Sequence, residues 1–506
     1  MGILSYFLEV NMEAVIAENK AVKAENAALR HELEQLKRLI FGSKQERFVP
    51  ALAPEQLELE LGQEVAEAEP QAETTTVTYQ RRKKPHPGRT KLPDNLPTED
   101  IMIEPEEDTT DMVLIGEQVT ETVDYRPGVL LKRRYIRRKY ARKEEVEGQS
   151  TIVIGTMPDR PIPKGIPEAG LLAHLLVSKY VDHLPFYRQI EQFKRNHDWS
   201  IHKSTINDWF AACCKLLEPL YDQLLEKVMA TDYLQADESP IKVQDVDKKG
   251  KTHQGYMWVY RNPLNGLVLF DYRKGRGMHG PKERLAKFSG VLQCDAYKAY
   301  VGVARARNKQ AREQVMTLTG CLAHIRRKFF EAQDHHRELA EYALTQIQKL
   351  YAIERRCREA GYDYSQRQAL RQKEARPIFE PFLQWVEQQQ ANNLSKGPIG
   401  KALHYAKHQL PTLALYLEDG RIEIDNNLIE NAIRPLALGR KNYLFAGSHQ
   451  AAQRTAMMYS FFASCKTNAV NPWEWLADIL KRIGTHSIKD IEQLLPKQWA
   501  ENRSGM

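Results

Sequence analysis

The chain has 506 residues, 42% of them hydrophobic and 27% charged, with a formal net charge of +7. That length holds three or more structural units, since domains usually run to about 100–200 residues, and most of the chain can bury a core. Six scattered cysteines without a CxxC pair argue for reduced thiols and against a disulfide framework. No apolar run approaches the roughly 20 residues of a membrane span and no cleavable signal opens the chain, so a soluble, intracellular protein without a membrane partner is expected.

Residues 12–41 fit a heptad repeat. Met12, Asn19, Asn26, Leu33 and Ile40 fall at position a, and Val15, Val22, Leu29 and Leu36 at d. Glu18, Glu25 and Glu32 at g each precede a basic e residue (Lys23, Arg30, Lys37) by five positions, which pairs opposite charges between the helices of a parallel dimer. A single amphipathic helix packed on the next domain has no need of that match. Residues 1–48 are therefore expected to form a coiled coil through which the chain self-associates. Residues 49–100 read as a flexible linker, acidic and then basic (Arg81-Arg82-Lys83-Lys84), with Pro85, Pro87, Pro93 and Pro97 opposing regular structure.

Residues 101–160 alternate well enough for a small β-rich module, which carries the basic run Lys132-Arg133-Arg134-Tyr135-Ile136-Arg137-Arg138-Lys139. Clustered cations suit a phosphate backbone. That makes Arg133, Arg134, Arg137 and Arg138 candidate DNA contacts, the plainer reading being a solvated strand face. Residues 161–228 turn helical, with one helix starting in 184–190 and another in 203–209. The polar Lys203-Ser204-Thr205 opening of the second suits a recognition helix whose first residues reach base edges. An ordinary helical packing unit is the alternative.

From 229 the pattern becomes α/β. Strands are expected to end at Asp237, to cover 256–260 and 267–270 across the turn-rich 262–266, to end again at Asp295 and to cover 314–318, with helices between the later ones. Three meandering strands followed by helix, strand, helix, strand, helix is the order of an RNase H-like fold, which sets the ends of its first and fourth strands side by side. Residues 336–420 are strongly helical and are expected to be an insertion at the surface of this α/β catalytic core, which spans 229–335 and 421–450. Glu430 lies one turn into a helix that Asp425 or Asn426 would cap. Residues 451–506 return to helix, with Pro472 at a helix start.

Asp237, Asp295 and Glu430 are the chemistry this order brings together. One Asp at a strand end is usually a turn cap; three carboxylates coinciding with one strand order suggest more. They suit two Mg²⁺ ions, with Mn²⁺ as a substitute, because hard cations take oxygen ligands and can activate a water or hydroxyl against a phosphodiester. Arg434 shares a helix face with Glu430, and with Arg440 and Lys441 it forms a cationic cluster that could hold phosphate. Glu238, Glu423 and Asp425 are decoys, the first pointing away from Asp237 and the others preceding the helix. Cys321 and His324 make one pair without a second, so no zinc is expected. His324 is expected near the carboxylates, contacting DNA or orienting a water, with Arg326 and Arg327 as further DNA contacts.

Leu234-Gln235-Ala236-Asp237-Glu238-Ser239-Pro240, Gly255-Tyr256-Met257-Trp258, Leu292-Gln293-Cys294-Asp295-Ala296-Tyr297, the stretch from Gly320 to Phe329, and the block 425–448 resemble the DDE transposases of insertion sequence family 66. The resemblance runs from the N-terminal heptads to Leu494-Leu495-Pro496-Lys497-Gln498-Trp499. It implies that Asp237, Asp295 and Glu430 are a catalytic triad, and that the chain cuts its element's ends and joins their 3′ hydroxyls to target DNA. It also implies element-encoded accessory proteins as partners and a bacterial, cytoplasmic, nucleoid-associated location. Many members carry a zinc ribbon with two CxxC pairs where this chain has Glu106-Glu107-Asp108-Thr109-Thr110-Asp111 and Tyr140-Ala141-Arg142-Lys143, so the ribbon here lacks its metal ligands. A non-catalytic DNA-binding regulator and an RNase H-like structure-selective nuclease are the rival readings.

Overall fold

The computed structural model describes residues 159–504 except Lys164, 245–249 and 394–395, and before them Gly128, Leu130 and the strands β1 (Lys139–Ala141) and β2 (Ile152–Ile154). The expected coiled coil, the linker and Arg133, Arg134, Arg137 and Arg138 lie outside the described residues. The chain divides into two compact units, and residues 136–506 belong to one of them. In the expected β-rich module, β1 and β2 pair antiparallel, with Lys139 opposite Ile154.

Among the described residues three helices precede the sheet: α1 (Ala169–Tyr180), α2 (Phe186–His197) and α3 (Lys203–Met229). Pro185 opens α2, where its fixed φ and missing N–H cost nothing. Along α3 the buried residues Ile206, Phe210, Cys213, Leu217, Leu220, Leu224 and Val228 recur every three or four positions, the apolar stripe of a helix laid on a core.

The sheet has five strands in the order β5-β4-β3-β6-β7. β3 (Tyr233–Gln244), β4 (Thr252–Arg261) and β5 (Val268–Arg273) form an antiparallel meander. β6 (Gly290–Gln293) and β7 (Met316–Thr319) extend it in parallel on the other side of β3. Parallel neighbours need crossovers, and α4 (His279–Arg284) and α5 (Lys298–Ala311) lie in them. Gly290 starts β6 at φ 130, a value open to glycine, and a Cβ there would overlap the Asp232 carbonyl. The expected strands at 256–260, 267–270 and 314–318 correspond to β4, β5 and β7, but the strand expected to end at Asp237 runs on to Gln244, because residues 238–244 keep their ladder with 252–258 of β4.

Edge strand β5 is covered by α13 (His449–Thr467), which follows α12 (Asn427–Tyr443). The outward N–H groups of Val268 and Phe270 donate to Ser464 Oγ (3.0 Å) and Ser460 Oγ (2.7 Å). Serines on a buried helix thus satisfy an edge that would otherwise present unpaired donors. The chain closes with α14 (Pro472–Arg482), led by Pro472 as expected, and α15 (Pro496–Ser504).

Between β7 and α12 run α6 (Leu322–Glu331), α7 (Arg337–Glu359), α8 (Tyr364–Leu370), a π turn at Arg371–Ala375, α9 (Arg376–Asn392), α10 (Pro398–Leu413) and α11 (Leu415–Glu418). These helices share one continuous core with the sheet domain: Tyr233, Leu322, Ile325 and Phe329 pack in the same cluster as Leu344, Phe379, Leu403 and Ile424. The fully buried Arg371 anchors the return to the sheet. Its guanidinium makes a two-pronged ion pair with Glu354 (2.7 and 2.9 Å) and donates to the carbonyls of Tyr416, Asp419 and Ile422. No helix among the described residues is long and apolar enough to cross a membrane.

Candidate active site

On β3 and β6 the register sets Gln235 opposite Gln293. Residues two apart on a strand share a face, and neighbouring strands lie about 4.8 Å apart. Asp237 and Asp295, each two residues beyond its glutamine, therefore sit side by side just past the β3–β6 pairing, Asp237 still within β3 opposite Val259 and Asp295 beyond the end of β6. Asp237 Oδ1 accepts the Glu238 N–H at 2.7 Å. Asp295 Oδ1 accepts the Tyr297 N–H at 3.0 Å, turning the chain into α5.

The glutamines do more than mark register. Gln293 Oε1 accepts from the Tyr233 hydroxyl (2.6 Å) and from Gln235 Nε2 (2.9 Å), while its Nε2 donates to the carbonyls of Gly320 and Glu423 (3.2 and 2.7 Å). Asn426 adds a second clamp, its N–H on Cys321 Sγ (3.2 Å) and its Nδ2 on the Ala236 carbonyl (3.3 Å). This buried network fastens residues 423–426 across β3 and the end of β6, so α12 begins beside Asp237 and brings Glu430 in its first turn. Asp425 supplies the cap, its Oδ1 accepting the Asn427 N–H at 3.0 Å, whereas the Asn426 side chain is taken up by Ala236. Sequence reasoning misses Gln235 and Gln293, although the same residue two positions before each Asp is a signal that could have found them.

The three decoys each have a structural partner. Glu238 turns to the other face, where Arg276 grips it at 2.6 and 2.9 Å and the Tyr300 hydroxyl adds a bond of 3.3 Å. Glu423 pairs with Arg367 at 3.0 Å. Asp425 also accepts from Tyr351 at 2.8 Å. Asp237 and Asp295, by contrast, pair with no cationic side chain among the described residues, and Glu430 meets only His324, at 3.7 Å. Burial, then the neighbouring charge of Glu238, with Asp295 and Glu430 behind it, pushes the Asp237 carboxyl up to about 8. The Glu238 N–H works in the opposite direction. As they stand, no three His, Cys, Asp or Glu side chains among the described residues converge to hold a metal ion.

The remaining site candidates divide. His324, on α6, lies against Glu430, and its buried Nδ1 has no hydrogen-bond partner. Cys321 is buried with its thiol pushed up to about 12 by that burial. Arg326 and Arg327 are half-buried on α6, Arg326 lying 5.9 Å from the Phe330 ring. Arg434 and Lys441 are exposed on α12. Arg440 turns inward and donates to Ser239 Oγ (2.9 Å) and the Pro240 carbonyl (2.6 Å), bracing α12 on β3. Lys203 and Ser204 are exposed and Thr205 half-buried at the start of α3, with no hydrogen bond to the carboxylates.

Asp237 within β3 and Asp295 just past β6 put two carboxylates on neighbouring parallel strands of a mixed α/β sheet, which places this chain among α/β proteins. Its sequence matches the family described as "Transposase IS66 family" over residues 164–454. It also matches "Transposase C of IS166 homeodomain" over residues 28–101 and "IS66 C-terminal element" over 460–497. Among similar proteins, uncharacterized protein y4qI of Sinorhizobium fredii is 32% identical over 504 residues, covering 96% of this chain and 92% of the relative. Uncharacterized protein y4jD of the same organism is 30% identical over 496 residues, covering 94% and 95%. The chain belongs to the IS66 transposase family, which associates it with DNA transposition and with DNA as its partner.

Proposed function

We propose that the chain is a DDE transposase with an RNase H-like core (229–335 with 421–450), which cleaves its element's ends and joins their 3′ hydroxyls to target DNA. The strand order, with β3 central and β6 parallel to it, supports the core assignment. The observation that carries the reading is the register of Gln235 with Gln293, which aligns Asp237 and Asp295, together with the Asn426 clamp that docks the Glu430 helix onto β3 beside Asp237.

The carboxylates fit divalent metal in kind: they are hard oxygen donors, Asp237 is pushed up first by burial and then by the carboxylates around it, and neither Asp has a cationic partner of its own among the described residues. Bound there, Mg²⁺, or Mn²⁺ in its place, would activate the attacking water or 3′ hydroxyl and stabilise charge on the phosphodiester oxygens. Asp237 would supply a ligand from within β3, Asp295 from just past β6, and Glu430 from a helix start. His324, beside Glu430, orients a water or a phosphate. Arg434 and Lys441 hold backbone phosphates along α12, and Lys203, Ser204 and Thr205 present the polar opening of α3 to base edges. Arg326 and Arg327 lie on the helix of His324 and extend the phosphate-contacting surface. Self-association through residues 1–48, accessory partners encoded by the element, and a location at the bacterial nucleoid complete the reading.

The test is to incubate the full chain with its element's terminal DNA, a target plasmid and Mg²⁺, beside Glu430→Gln. Joined products from the native chain alone are expected, with DNA binding largely retained in the variant, because the amide keeps the shape and loses the charge. Cleavage without joining points instead to a structure-selective nuclease, and binding without any metal-dependent product points to a regulator.

A further inference from the structure

The α12 helix does not end in an ordinary cap. Leu444 stands at φ 63, ψ −46, and the Phe445 N–H donates to the Tyr443 carbonyl at 2.7 Å. This is a γ-turn of the rarer, positive-φ hand, which a residue with a Cβ adopts under strain. Both flanks hold it in place: the Leu444 N–H reaches the Arg440 carbonyl, and Ala446 exchanges backbone hydrogen bonds of 2.8 Å with Lys242 and Gln244 on β3. The strain is not repaid by burial. Leu444 is 63% exposed and Phe445 42%.

These two apolar side chains end a polar stripe. Asn427, Asn431, Arg434, Leu438 and Lys441 recur every three or four residues on the exposed face of α12, and Glu430 borders them. Between Asn427 and Ala446 the sole carboxylate is Glu430. A surface of cations and amides, broken by the exposed Leu438 and leading from the site to a strained, exposed Leu-Phe pair, is complementary to a nucleic acid: phosphates along the stripe, an opened base step at its end.

We propose that Leu444 and Phe445 form a wedge that enters the element-end duplex and stacks against an unpaired or unstacked base, while Arg434 and Lys441 hold the strand between the wedge and the carboxylates. The proposal rests on the transposase reading above, and it adds a base-contacting site. From Glu430 to Leu444 the helix rises roughly 21 Å at about 1.5 Å per residue, which is about six base-pair steps at roughly 3.4 Å each. The opened step should therefore lie about six base pairs from the cut.

The experiment places 2-aminopurine, which brightens when unstacked, singly at each position near the cleaved end of the element's terminal duplex, and binds the full chain in EDTA so that the DNA stays intact. One position about six base pairs from the cut is expected to brighten. Phe445→Ala and Leu444→Gly should each reduce that signal roughly fivefold or more, with DNA affinity much less affected. Leu444→Gly matters because glycine keeps the positive-φ turn: an unchanged melting temperature separates loss of the wedge from collapse of the loop. Brightening that survives both substitutions overturns the proposal, as does a native chain that brightens no position. If the substitutions change only the subunit count by sedimentation, the pair is a protein contact and the proposal falls. Joining by the same native preparation in Mg²⁺ reads the transposase assignment separately.

Discussion

Replacing Asp237 with Asn should make the metal-free protein more stable at alkaline pH, although it removes a proposed ligand. The ordinary carboxyl value of 3.8 is pushed up to about 8, first by burial and then by Glu238, Asp295 and Glu430. A carboxyl raised in the folded state binds its proton more tightly there than in the unfolded chain. Its contribution to stability is fully present below the ordinary value and is lost as pH rises through about 8. At about 1.4 kcal/mol per pH unit the full loss would approach ~6 kcal/mol. Asp237 is only part-buried by solvent exposure, so water screens much of it, and about 1–3 kcal/mol is the expected gain for Asn at pH ~9. The assay is urea unfolding in EDTA at a series of pH values, with the advantage of the variant shrinking as pH falls. Saturating Mg²⁺ should then stabilise the native chain, by about 2.7 kcal/mol at a hundred times its Kd, and leave the variant unmoved. A variant less stable than the native chain at pH ~9 in EDTA would refute the reasoning, because it would mean that the ionised carboxylate is well solvated or paired.

Arg371→Leu leaves the buried Glu354 carboxylate with Arg367 alone, at 3.4 Å, and strips three carbonyls of a donor, and should cost about 3–5 kcal/mol in urea unfolding. Gln293→Ala removes the hub joining Tyr233, Gln235, Gly320 and Glu423, and should cost about 1–3 kcal/mol while lowering strand joining far more than DNA binding. Gly290→Ala forces a Cβ toward the Asp232 carbonyl at a positive φ, and should cost about 1–3 kcal/mol, read as a lower melting temperature.

The parts of this fold that sequence made legible are those set by local pattern. The strands around Asp237 and Asp295, the turn at 262–266, the helix starts near Pro185, Lys203 and Pro472, and the opening of α12 all carry their own signals in alternation, proline placement or capping residues. What escaped depends on pairings between distant residues. Gln235 looks like any polar strand residue until Gln293 and the 423–426 segment arrive beside it. Arg440 reads as a phosphate contact beside Lys441, yet Ser239 and Pro240, two hundred positions earlier, claim its guanidinium. The helices of 336–420 read as a surface insertion from their periodicity alone, but periodicity does not say what an apolar face packs against, and here it joins Tyr233 and Ile325 in one core. The γ-turn at Leu444 carries no glycine to announce it, because the end of α12 on one side and the Ala446 bonds to β3 on the other impose it.

The central claim, that Asp237, Asp295 and Glu430 form one divalent-metal centre, is tested most directly by metal-directed cleavage of the protein itself. Fe²⁺ loaded in place of Mg²⁺, with ascorbate and peroxide, cuts a polypeptide close to where the ion is held. Cuts clustered near residues 237, 295 and 430 are expected, competed away by Mg²⁺ and lost in Glu430→Gln. Cuts confined to other parts of the chain, or a pattern that Glu430→Gln leaves unchanged, would contradict it.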